Sequence, residues 1–172
     1  LVELICALSF VWFFYLFGLS LTTLLFFILS IFFIIIFFID LKHFIIPNEL
    51  TFPLMAIGLL KSFDPNLNQY LFPNFLNSLV GGVAGYLIIW MIIFIYKRLR
   101  NKEGMGLGDA KLLSAIGFWF GWISIPFILF FSSFIALVLA IPSLINKSKN
   151  LSSQIPFGPY LILGCILSLI HI

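Results

Sequence analysis

Two acids stand where chemistry could be done. Asp40 closes an apolar run of membrane length, and Asp109 follows three alternating glycines, Gly104, Gly106 and Gly108. An ionisable side chain at membrane depth costs on the order of 3 kcal/mol at a helix centre and less near an end, so each is a functional candidate. Asp40 lies near the C-terminal end of its helix, where the macrodipole disfavours an anion. Asn or Ser would serve a purely structural need there at lower cost. Asp109 opens a helix that restarts over Ala110–Leu113, where Asp commonly acts as an N-cap. That role accounts for one acid but not for two. Placed side by side, the pair would hold one proton between them, because two carboxylates in contact cannot both ionise. One would take a proton from water and the other would give one to a departing amine. This is aspartic-protease chemistry, with no covalent intermediate.

Glycines permit positive φ and the close approach of a second chain, and Gly104, Gly106 and Gly108 put that freedom directly before Asp109. Lys111 either orients or neutralises near Asp109 or is a surface lysine that snorkels. Pro47 and Glu49, in the turn after Asp40, complete the expected site-lining set, although a first-turn helix acid is the simpler account of Glu49. His43 and Glu3 read as interfacial and first-turn residues, Glu103 as part of a solvated loop, and His171 as a chain-end residue without a specific role.

The elements that position these residues are membrane helices. With 63% hydrophobic residues, 9% charged residues, 23 phenylalanines and a mean hydropathy of +1.23, the 172-residue chain is excluded from the soluble class. A net charge of +3 is too small to suggest nucleic acid as a partner. Cys6 and Cys165 lie inside apolar segments and belong to no CxxC, so neither a disulfide nor a metal framework is expected.

Seven spans follow along the chain: Leu1–Phe17, Leu24–Ile39, Leu50–Leu60, Phe75–Tyr96, Ala110–Phe120, Phe127–Ile145 and Ile155–Ile172. Two of these are short against the roughly 20 residues a bilayer requires. The fold class is therefore all-α and polytopic. Pro47 is expected to end the second helix before it, and Asn48 to cap the third. Gly81 and Gly85 form a GxxxG, a close-packing face. The four tryptophans, Trp12, Trp90, Trp119 and Trp122, fit interfacial anchoring or packing. Alternating the spans places Lys42, Lys97, Arg98, Arg100, Lys102, Lys111, Lys147 and Lys149 on one side and Lys61 alone on the other. That asymmetry assigns the first side to the cytoplasm, together with Asp40, Asp109 and the N-x-S sequons at Asn146 and Asn150. The chain begins at Leu1 with no basic n-region, so no signal peptide is expected and the chain reads as a fragment missing something upstream.

Three blocks resemble the bacterial type IV prepilin peptidases. Asp40 with Ile46-Pro47-Asn48 and Leu50-Thr51 is similar to that family's first catalytic segment. Gly104-Met105-Gly106-Leu107-Gly108-Asp109-Ala110-Lys111-Leu112-Leu113, with Gly117 and Gly121 beyond it, resembles the GxGD segment, and Pro156-Phe157-Gly158-Pro159-Tyr160 a third block. The resemblance implies a single transmembrane catalytic domain over residues 1–172 with seven or so helices around a cytoplasm-facing cavity. It implies Asp40 and Asp109 as the catalytic pair, a site lined by Gly104, Gly106 and Gly108 whose loop comes close to substrate and partner acid, and an inner-membrane endopeptidase that removes basic leaders from prepilins or pseudopilins. Long family members carry an upstream helix and a loop with paired CxxC motifs. None of these stands before Leu1-Val2-Glu3-Leu4, so zinc, S-adenosylmethionine and methyl transfer are not expected, and proteolysis needs no cofactor.

Presenilin-type proteases pair Tyr-Asp with GxGD and carry a later Pro-Ala-Leu. Here Ile39 precedes Asp40 and no such tripeptide occurs. A proton-coupled transporter with Asp40 and Asp109 as relays would call for inverted repeats, and none is present. An inactive remnant of the peptidase would share every motif.

Overall fold

The computed structural model describes residues 2–64, 67, 72–100, 106–145 and 156–169. Gly104, Lys102, Glu103, Lys147, Lys149, Asn146, Asn150 and His171 lie outside the described residues. Seven helices occur among those described: α1 (Val2–Phe17), α2 (Leu21–His43), α3 (Asn48–Lys61), α4 (Phe75–Arg100), α5 (Leu107–Phe120), α6 (Ser124–Ile145) and α7 (Gly158–Leu169). Each corresponds to one expected span. Two stretches, Leu21–His43 and Phe75–Leu99, are long and apolar enough to cross a membrane.

Three helix boundaries bear on the site, and the first falls before Pro47 as expected. Helix α2 continues through Asp40 to His43, where Lys42 and His43 complement the C-terminal dipole. It ends at Phe44, whose left-handed φ of 57° turns the chain while its N–H caps Asp40 O. Pro47, not Asn48, occupies the N-cap of α3. Its fixed φ of −66° already supplies the extended entry, and no side chain caps the helix. Asn48 becomes the first helical residue, and its Oδ1 accepts from Lys111 Nζ at 2.6 Å. Helix α5 starts one turn early because Gly106 takes the extended N-cap conformation. Asp109 is therefore the third residue of the helix and not its cap.

Helix α5 is the hub. It touches α3, α4, α6 and α7, and Asp109, Ala110, every residue of 112–117, Trp119 and Phe120 are buried. A 14-residue helix this enclosed is sheltered by its neighbours. The α4–α5 seam is closed by absent side chains: a methyl at Gly81 would stand 2.5 Å from Gly117 O, and one at Gly85 2.7 Å from Leu113 O. Small residues let helix backbones meet in this way. Ser114 Oγ donates to Gly82 O at 2.8 Å, and Ser78 Oγ donates to Phe118 O across the same seam. Gly121, at φ 79°, ends α5 where a side chain would be strained.

The far ends of α3 and α5 are tied by Lys61. Its side chain is buried, with Nζ donating to Trp119 O at 2.8 Å and lying 3.8 Å from the Phe72 ring centroid. Trp119 Nε1 returns a bond to Leu54 O at 2.8 Å. Of the four tryptophans only Trp119 is core; Trp12, Trp90 and Trp122 are exposed. Cys165 is buried, Cys6 is partly so, and both are free thiols.

Candidate active site

Both acids are buried, Asp40 at 4% exposure and Asp109 at 7%. They arrive from opposite ends of their helices. Asp40 stands in the last turn of α2, and Asp109 in the first turn of α5 with its N–H on Gly106 O at 3.2 Å.

Ile46 is the wedge that fixes this geometry. It follows the Phe44 turn and is buried, and it meets both other elements. A Cβ at Gly108 would lie 3.0 Å from Ile46 Cβ, and one at Gly158 3.0 Å from Ile46 Cδ1 and 2.6 Å from Asp40 Oδ2. Gly158 is also the hydrogen-bond partner of Asp40, its backbone N–H donating to Oδ2 at 3.0 Å. Three chain segments thus converge: the end of α2 with its following turn, the start of α5 and the start of α7.

The expected site-lining residues divide. Gly108 makes a close approach, onto Ile46. Gly106 contributes its extended backbone as the N-cap of α5, and a methyl there would meet nothing nearer than 3.8 Å. Lys111 turns to Asn48 and lies 5.5 Å from the Phe52 ring centroid. It makes no ion pair with Asp109 among the described residues. Pro47 starts α3 and its carbonyl accepts from Thr51 N–H at 3.2 Å. Glu49 and His43 are exposed. Gly104 is outside the described residues. Sequence reasoning missed Ile46 and the contact of Gly158 with Asp40. The signal for the second lay in Gly158-Pro159 at a helix start, where an unpaired N–H is available. The described residues contain no group of three or more His, Cys, Asp or Glu side chains that could hold a metal ion.

A profile described as the type IV leader peptidase family matches residues 27–141, a span that holds both acids. The chain belongs to this family. Similar relatives include the Prepilin leader peptidase/N-methyltransferase of Aeromonas hydrophila, 40% identical over 124 residues, which is 72% of this chain and 41% of that protein. The protein of the same name from Xanthomonas campestris pv. campestris is 42% identical over 134 residues, covering 78% of this chain and 45% of its own length. That of Pseudomonas aeruginosa is 37% identical over 124 residues, covering 72% and 41%. The chain spans less than half the length of these relatives. No solved structure matches it.

Proposed function

We propose that this chain is the proteolytic core of a membrane-embedded aspartic endopeptidase that removes the basic leader from type IV prepilins or pseudopilins. The observation that carries the reading is the convergence of Asp40 and Asp109. They are two buried acids from separate helices; Gly108, next to Asp109, and Gly158, hydrogen-bonded to Asp40, both pack against Ile46. Family membership gives the reaction class, and the relatives' printed name supplies the substrate class.

In this reading the ionised member of the pair takes a proton from water as its oxygen attacks the scissile carbonyl carbon. The protonated member gives its proton to the amine nitrogen as the C–N bond breaks. The reaction needs water and two carboxyls, with neither metal nor cofactor. The chain is a single multi-pass domain of the bacterial inner membrane, with the lysine-rich ends of its helices, and hence the pair, at the cytoplasmic face. Gly106, Gly108, Pro47, Glu49 and Lys111 line or border the approach, and the leader's positive charge suits a site that holds a shared negative one.

The test is cleavage, in membranes, of a prepilin-type substrate with a basic leader, the new N-terminus being read by mass. The parent chain is expected to cut at the leader junction, and Asp40→Asn and Asp109→Asn to leave the substrate intact while inserting normally. Cutting at the parental rate by either variant would refute the assignment.

A further inference from the structure

Helix α2 leaves Asp40 with an electrostatic difficulty that its own element does not resolve. Asp40 is in the last turn, where exposed carbonyls make the environment unfavourable to an anion. The relief comes from the other end of the sequence. Gly158 is the first residue of α7, with the first intrahelical bond running from Leu161 N–H to Phe157 O at 3.1 Å. Its N–H has no acceptor within the helix, and it points at Asp40 Oδ2, 3.0 Å away. The positive end of α7 is thereby set against the carboxylate. Asp40 Oδ1 accepts no hydrogen bond from the described residues. Gly158 lies outside the matched span of 27–141.

We propose that Gly158 is a positioning residue for Asp40: its N–H clamps Oδ2, and the missing side chain at 158 is what allows the carboxylate to reach it. The inference rests on the aspartic-protease reading above and deepens it by naming the group that orients one member of the pair. A methyl at 158 would fall 2.6 Å from Asp40 Oδ2 and 3.3 Å from Asp40 Cγ, so the carboxylate would have to withdraw. Gly158 also precedes Pro159, and a residue before proline disfavours helical geometry through the clash of Pro Cδ with its Cβ. A structural role for the glycine is therefore built in, and the experiment has to separate the two.

Kinetics on a leader-bearing substrate, with the SDS-unfolding midpoint measured alongside, make that separation. The variants are Gly158→Ala, Pro159→Ala, the Gly158→Ala/Pro159→Ala double, and Asp40→Asn. Displacing a reacting group by about 1 Å costs about a hundredfold. Gly158→Ala is expected to lose about that much in kcat with KM little changed. The double variant, freed of the pre-proline clash, is expected to recover the unfolding midpoint but not kcat. Pro159→Ala alone is expected to keep the parental kcat. If kcat recovers with the midpoint in the double variant while Asp40→Asn is dead, Gly158 is only a helix-start residue and the inference falls while the catalytic pair stands. If Asp40→Asn cleaves, the pair itself is refuted and the inference with it.

Discussion

Replacing Gly81 by alanine tests whether the packing of α5 sets the position of Asp109. The added methyl would stand 2.5 Å from Gly117 O, 2.6 Å from Gly121 C and 2.8 Å from Gly121 Cα. All three are backbone atoms, so no rotamer change relieves the clash. Restoring an ordinary separation of about 3.5 Å requires α4 and α5 to part by about 1 Å. Overpacking of this kind costs about 1–3 kcal/mol, and where lipid surrounds the helices it falls on the close packing that joins them. Asp109 rides on α5, and about 1 Å of misplacement is enough to lower turnover about a hundredfold. Gly82→Ala is the internal control, because the three atoms nearest its methyl all belong to the ring of Phe118, which can turn aside. Leader cleavage in membranes and SDS-unfolding midpoints are the paired assays. Gly81→Ala is expected to lose on both, with Gly82→Ala much milder. Parental behaviour of Gly81→Ala, or equal damage from Gly82→Ala, would refute the view that backbone approach at the seam positions the acid.

Lys61→Met removes the ammonium from Trp119 O and from the Phe72 ring. It is expected to cost about 2 kcal/mol in unfolding. Cleavage by the folded fraction is expected to persist, since Lys61 ends α3 and meets the end of α5 opposite to Asp109; an unchanged unfolding midpoint would contradict this. Phe44→Gly relieves a left-handed non-glycine residue at φ 57°. After allowance for glycine's extra freedom when unfolded, it is expected to stabilise by about 0.5–1 kcal/mol. A lowered midpoint would count against strain at the α2 turn.

The helices were legible because apolar runs broken by polar turns leave few alternatives, and all seven spans have a counterpart. The third and fifth spans read correctly as short, at 14 residues each, and α5 is the one enclosed by its neighbours, while α3 buries only Thr51, Leu54, Gly58 and Lys61. Cap residues were less legible. Asn48 has the chemistry of an N-cap, yet Pro47 already supplies the extended backbone and Lys111 takes the Asn48 side chain. Lys61 looked like a solitary loop-side charge, and no local pattern announced the Trp119 carbonyl and Phe72 ring that receive it. Asp40 and Asp109 each stood out by cost, but a single sequence does not encode the packing of their helices about Ile46, or the reach of Gly158 across 118 residues to Asp40. Those depend on how α2, α5 and α7 pack around Ile46.

The most direct test of the central claim is a double-mutant cycle on the pair. Leader cleavage is measured for the parent, Asp40→Asn, Asp109→Asn and the double variant, each matched for insertion and folding. Residues that act as one unit are strongly non-additive. Either substitution alone is expected to abolish turnover, and the double variant to be no worse than either single one. Additive losses, or substantial cleavage after either substitution, would mean that the two acids do not work together.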